Sequence, residues 1–237
     1  MIKKYNQYIK ENNIVYSSDE IDPYGEEDWG DDEILTPVLM IAKKQGLPYD
    51  QITKLDCHDK RLTSLEGIEK LINLEELWCS VNNLTSLEGI ENLNELKKLY
   101  CYFNNLTNLE GIKNLISLKK LDCQNNNLTN LNDIKNLVNL VDFSCINNNL
   151  TNLNGIENLI NLKLLNCCKN NLTSLKGMEN LINLEGLNCY NNNLTNLEGI
   201  ENLTNLKYLA CSKNKFSFFY KRHLKKYCKN KNIELNI

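Results

Sequence analysis

Apolar side chains recur along this chain in a frame of 22 residues. Leu55, Leu77, Leu99, Leu121, Phe143, Leu165, Leu187 and Leu209 hold one position of that frame without insertion or deletion. Two residues further on stand Cys57, Cys79, Cys101, Cys123, Cys145, Cys167, Cys189 and Cys211. Residues two apart on a strand share a face, so leucine and cysteine point inward together while their neighbours point out. The second half of each unit, such as Leu84, Leu87, Ile90, Leu93 and Leu96, advances in threes. Three is the period of tight 3₁₀ turns. A fixed period of this length predicts a stack of near-identical coils with parallel strands about 4.8 Å apart. Such a stack offers a long surface rather than an enclosed site.

Two further columns predict backbone geometry. Asn82, Asn104, Asn126, Asn148, Asn170, Asn192 and Asn214 follow the strand at the turn. Asparagine suits turns, and a buried amide there is expected to satisfy backbone groups of its own coil and of the next. Gly67, Gly89, Gly111, Gly155, Gly177 and Gly199, with Asp133 standing in for one of them, suggest a positive φ before the isoleucine column.

Within each unit the pattern is L-x-C-x-x-N-x-L-T-x-L-x-x-I-x-x-L-x-x-L-x-x. Leu74, Leu77, Cys79, Asn82 and Leu84 show the leucine-rich-repeat signature with cysteine in the third leucine's place. The chain therefore resembles the leucine-rich-repeat family over about residues 52–214. Its length and L-x-G-I-x-x-L-x-x-L half look most like the internalin and protein-phosphatase-1-regulatory types. The Asn-rich wording also resembles repeat proteins of giant DNA viruses. The resemblance implies an α/β leucine-rich-repeat solenoid, with a parallel β-sheet on the concave face, short 3₁₀ or irregular convex segments, and helical caps. For function it carries little, because one fold serves many roles.

Stacked coils leave apolar faces open at both ends, so caps are required. The expected organisation is an N-terminal segment over 1–51, the repeat array over 52–214, and a C-terminal cap over 215–237. Residues 1–17 predict a short amphipathic helix, and 18–33, rich in Asp and Glu, a solvated loop. Thr36-Pro37 reads as a helix start, with the helix continuing from Val38 to Gln45 and Gly46 ending it. Phe216, Phe218, Phe219, Leu224, Tyr227 and Cys228 predict a second helix packed on the last coil. Its outer face would carry Lys221, Arg222, Lys225, Lys226 and Lys229, and Ile233, Leu235 and Ile237 would add a last strand.

The net charge of −3 does not point to a nucleic-acid or membrane partner. No run of apolar residues is long enough for a transmembrane helix, and the first residues lack the apolar core of a secretory signal. The cysteine column reads as buried, reduced thiols acting as small hydrophobes, which fits an intracellular, cytoplasmic setting. Of a viral protein that setting would be the host cytoplasm. In that setting the Asn-Leu-Thr sequons at Asn83, Asn105, Asn127, Asn149, Asn171 and Asn193 are by-products of the repeat.

Outward positions beside the strands vary from unit to unit and so carry what is particular to this chain. Trp78, Val81, Tyr100, Tyr102 and Phe103 should cluster there, flanked by Lys98, Lys120 and Glu76. Exposed aromatic clusters rimmed by charge mark protein interfaces, and Trp and Tyr often dominate binding energy. The expected function is a non-catalytic module binding a protein partner through the concave sheet; the viral resemblance would make that partner a host protein. One alternative is a regulatory subunit of an enzyme such as a phosphatase. The other is a nucleic-acid or anionic-surface binder using Lys97, Lys98, Lys119, Lys120 and the C-terminal helix. Asp56, His58 and Asp59 are a weak candidate for a metal or acid–base site. No nucleophile elbow, phosphate loop or metal-ligand spacing occurs, so neither catalysis nor a cofactor is expected.

Overall fold

A computed structural model describes residues 35–237, within which Thr36–Ile237 form one compact unit. The amphipathic helix and acidic loop expected before them lie outside the described residues.

Nine three-residue strands form one parallel sheet whose spatial order is the sequence order. They are β1 (Lys54–Asp56), β2 (Glu76–Trp78), β3 (Lys98–Tyr100), β4 (Lys120–Asp122), β5 (Asp142–Ser144), β6 (Leu164–Asn166), β7 (Gly186–Asn188), β8 (Tyr208–Ala210) and β9 (Glu234–Asn236). The register pairs Leu55 with Leu77, Leu77 with Leu99, and so on to Leu209 with Leu235. The 22-residue period therefore translates directly into one strand per coil, and the fold is a leucine-rich-repeat solenoid.

The core is the set of columns read from the sequence. The strand leucines, the cysteines and the leucines and isoleucines of the second half are buried. Phe143 replaces leucine in the strand column and is also fully covered. All ten cysteines are free and buried. Burial pushes the Cys57, Cys167 and Cys211 thiols up to about 12, and those of Cys79, Cys101, Cys123, Cys145 and Cys189 upward as well.

The asparagine column stitches neighbouring coils, but toward the preceding coil rather than the next. The Asn82 Oδ1 accepts from Lys60 N at 3.0 Å and Leu62 N at 2.9 Å. Its Nδ2 donates to Cys57 O at 2.9 Å and Cys79 O at 3.0 Å. Each amide thus joins its own coil to the preceding one, and the pattern repeats from Asn104 to Asn214. Among the described residues no buried side-chain N or O lacks a partner.

The glycine column divides in two, contrary to expectation. Gly67, Gly89, Gly155, Gly177 and Gly199 take φ between 89 and 110°, but Gly111 and Asp133 do not. Where Glu follows two residues later, as at Glu69, Glu91, Glu157 and Glu179, its carboxylate accepts the glycine N–H and holds a left-handed turn. Lysine occupies that place at Lys113 and Lys135. There a right-handed 3₁₀ turn starts earlier, at Glu110–Ile112 and Asn132–Ile134. The Asp133 carboxylate instead reaches back to accept from Leu109 N at 3.0 Å. Gly111 is needed for a different reason: a Cβ there would lie 2.3 Å from Leu87 O.

Helix α1 (Pro37–Lys43) plugs the first coil with Val38, Leu39 and Ala42. Thr36 caps it by accepting from Leu39 N, and the chain leaves through Lys44 and the left-handed Gly46. Gln45 Nε2 donates to Lys54 O on the outer edge of β1. Helix α2 (Phe218–Lys231), capped by Ser217, closes the other end with Leu224 and Cys228. Phe216 is buried beside them, but Phe218 and Phe219 are 76% and 80% exposed. The packing expected of those two fails because Ser217 starts the helix in a phase that turns them away from Leu224.

Candidate functional site

The outward residues of β1–β4 and of the turns after them form four rows across the sheet. Trp78 and Tyr100 are register partners. Their rings stack in parallel, with centroids 5.5 Å apart and planes 1° from coplanar. Parallel rings at that distance are offset, the favourable arrangement for two quadrupoles. The free face of Tyr100 meets Lys120 Nζ at 5.7 Å from the ring centroid. Both faces of Tyr100 are therefore engaged, one by Trp78 and one by Lys120, and one face of Trp78 is engaged by Tyr100.

The second row contains His58, Ser80, Tyr102 and Gln124. Ser80 was expected on the open face, yet it is completely covered, and its Oγ donates to Tyr100 O at 2.9 Å. Being small, it lets the His58 and Tyr102 rings approach to 6.1 Å across its coil. Tyr102 also meets Phe103 edge-on at 6.0 Å. His58 is thus part of the aromatic cluster, a membership the sequence reading missed. Its proximity to Tyr102 follows from the small residue between them, which was the available signal.

Val81 and Phe103 are not on strands. They occupy the turn after β2 and β3, with φ of 55° and 52°. The same left-handed turn recurs at Asp59, Asn125, Asn147, Lys169, Asn191 and Lys213. Asn and Asp adopt it readily, whereas a β-branched or bulky residue pays for it. Strain of this kind concentrates at functional sites. Here it puts Val81, 36% exposed, and Phe103, 54% exposed, beside the aromatic rows.

Lys98 and Lys120 flank the rings but are engaged. Lys98 Nζ lies 3.0 Å from Glu76 Oε1, which Lys54 also approaches at 3.4 Å. Lys120 Nζ lies 2.7 Å from Asp142 Oδ2, and Lys97 Nζ 2.6 Å from Glu75 Oε1. The bond from Lys98 holds the Glu76 carboxyl below the usual range. The bonds to Glu76 and Asp142 raise Lys98 and Lys120 respectively. Asp122 closes the far end of the Trp78–Tyr100 row. Burial raises its carboxyl, which accepts from Gln124 N and Nε2 at 3.3 and 3.2 Å.

Asp56, His58 and Asp59 do not converge. The Asp56 Oδ1 accepts from the His58 backbone at 2.9 Å, and the His58 ring turns to Tyr102. Among the described residues no three His, Cys, Asp or Glu side chains group as ligands of a metal ion. A cleft lined by Leu197, Glu198, Glu201, Tyr220, His223 and Tyr227 lies beside α2; Tyr220 Oη accepts from Leu197 N there at 2.7 Å.

The architecture defines a class, and comparison with known proteins agrees with it. A family model described as leucine-rich repeats in two copies matches residues 182–221. The chain is a leucine-rich-repeat protein. It is similar to internalin C2 of Listeria monocytogenes, with a TM-score of 0.71 and 28% identity, over 80% of each chain. It also resembles the functional domain of InlJ from Listeria monocytogenes, described as including a cysteine ladder, with a TM-score of 0.54 and 29% identity. That match covers 71% of this chain and 46% of the other, so this chain spans about half the InlJ domain. A leucine-rich-repeat protein of Leptospira interrogans matches with a TM-score of 0.52 and 26% identity, over 77% of this chain and 60% of that one. No curated protein sequence matches the chain.

Proposed function

We propose that this chain is a non-catalytic interaction module that binds a protein partner through the aromatic rows of its concave sheet. The observation that carries the proposal is the strained pair Val81 and Phe103 beside the stacked Trp78 and Tyr100. Asparagine or aspartate fills the same turn at Asp59, Asn125, Asn147 and Asn191 and lysine at Lys169 and Lys213, so bulky apolar residues there are particular to these two coils. The site is rigid before binding, because the rings lock one another and the sheet is stitched by its asparagines. Preformed surfaces lose less entropy on association.

The ring arrangement favours a protein over a nucleic acid. Bases stack on open aromatic faces, and here Tyr100 lies between Trp78 and Lys120 and one face of Trp78 is taken by Tyr100. Lys97, Lys98 and Lys120 are neutralised by carboxylates. A reducing, intracellular setting is part of the proposal and is supported by ten buried thiols without a disulfide. The host origin of the partner rests on the Asn-rich resemblance alone.

The test is affinity capture from cell extract with wild-type protein, Trp78→Ala/Tyr100→Ala, and Asn166→Ala/Asn188→Ala as a control elsewhere on the sheet. A polypeptide held by wild type and control but not by the aromatic variant supports the proposal. Equal retention on all three sinks it.

A further inference from the structure

Charge is distributed along this chain far more unevenly than its net value suggests. Between Glu201 and Glu234 the sequence has nine Lys or Arg and no Asp or Glu, so the rest of the chain carries −12 against an overall −3. Most of these cations sit on α2, the helix that closes the solenoid. Leu224 and Cys228 fix its buried face. At 100° per residue, Phe218, Phe219, Arg222, Lys225, Lys226 and Lys229 fall together on the opposite arc, and all six are exposed.

A cap needs a polar outer face, and the lysines alone would provide one. The two phenylalanines are not explained by capping. They are 76% and 80% exposed and contact each other edge-on at 5.9 Å. Replacing them would uncover no core. Two exposed aromatic rings at the first turn, beside four cations on the same face, combine an apolar anchor with the basic charge that anionic lipid attracts.

We propose that the outer face of α2 is a docking surface for anionic phospholipid bilayers. Phe218 and Phe219 would enter the headgroup–acyl boundary. Arg222, Lys225, Lys226 and Lys229 would meet lipid phosphates and carboxylates, their stems lying along the surface. The other described residues, 35–201 and 234–237, are net negative, so the solenoid would meet the lipid with its C-terminal cap. The carboxylates Glu198 and Glu201 border the cleft on the other flank of the helix with Tyr220 and His223. Among the described residues no helix is long and apolar enough to cross a membrane, so the association is peripheral. This surface is separate from the aromatic rows on the sheet, and the two proposals stand or fall independently.

Co-sedimentation of the full chain with vesicles tests it. Phosphatidylcholine vesicles containing phosphatidylserine should bind the protein, and pure phosphatidylcholine vesicles should not. Phe218→Ser/Phe219→Ser should lower partitioning by roughly tenfold per ring. Arg222→Glu/Lys226→Glu should abolish it. Both pairs are exposed, and an unchanged circular dichroism spectrum verifies folding. Phe219→Trp adds a depth readout: its emission should be quenched by lipids brominated on their acyl chains. Three results would overturn the proposal. They are absence of binding to the anionic vesicles, binding indifferent to the phenylalanine pair, and preferential binding of RNA or an acidic peptide while vesicles are ignored.

Discussion

Raising the pH should unfold this protein abruptly, because its core is a column of thiols. An ordinary cysteine titrates near 9.0, whereas Cys57, Cys167 and Cys211 are pushed up to about 12 and the column members between them are also raised. The folded state favours the neutral thiol, so its contribution is complete below about pH 9. It is then lost as the pH rises toward 12, because the unfolded chain releases protons that the folded chain keeps. At pH 10 each thiol that burial keeps neutral costs on the order of 1 kcal/mol of stability, and a column of eight on the order of 10 kcal/mol. That rivals the whole stability of a typical domain, about 5–15 kcal/mol. Unfolding is therefore expected around pH 10, followed by far-ultraviolet circular dichroism and by thiolate absorbance. The two signals should change together and cooperatively. Replacing Cys101, Cys123 and Cys145 by alanine should move the midpoint upward relative to neutral-pH stability. A thiolate signal that rises near pH 9 with the dichroism unchanged would mean that the thiols are not buried.

Other consequences follow from single positions. Asn126→Ala leaves Leu106 N, Cys101 O and Cys123 O without their partner; at about 1–3 kcal/mol for each unmet group it should cost roughly 3–9 kcal/mol in urea unfolding. Gly111→Ala drives a Cβ to 2.3 Å from Leu87 O and should cost about 3 kcal/mol. Gly46→Ala meets nothing within 4 Å and should cost only the left-handed penalty of about 1–2 kcal/mol. Val81→Asn relieves the strain at φ 55° and should raise stability by about 1 kcal/mol while weakening partner capture. A loss of both stability and binding would show that Val81 supports the fold rather than the site.

The columns that face inward were legible because each is invariant for a physical reason visible in one unit. Leucine and cysteine alternate at strand period, and asparagine sits where a turn must be satisfied. Details that depend on two positions at once were not. The left-handed glycine turn needs Glu two residues later, and Lys113 and Lys135 mark where it is absent. A second asparagine ladder went unread because its members are exposed. Asn139, Asn161, Asn183 and Asn205 donate to the carbonyls of Ile116, Val138, Ile160 and Ile182 on the preceding coil. The candidate site was read as a patch on the exposed sheet, but of its residues only Trp78, Tyr100 and the flanking Glu76, Lys98 and Lys120 are on strands. Val81, Tyr102 and Phe103 follow them in the turn, and a strand of three residues cannot be measured from alternation alone. His58 entered the cluster through the smallness of Ser80, a relation across three coils that no single unit displays.

The claim on which the functional account depends is the position of the partner, and a photo-crosslink reads that directly. With p-benzoylphenylalanine placed at Phe103, irradiation of the captured complex should join the partner covalently to the chain, while the same group placed at the exposed Ile160 should not. Efficient crosslinking from Ile160 with none from Phe103 would put the partner on a different surface and contradict the account.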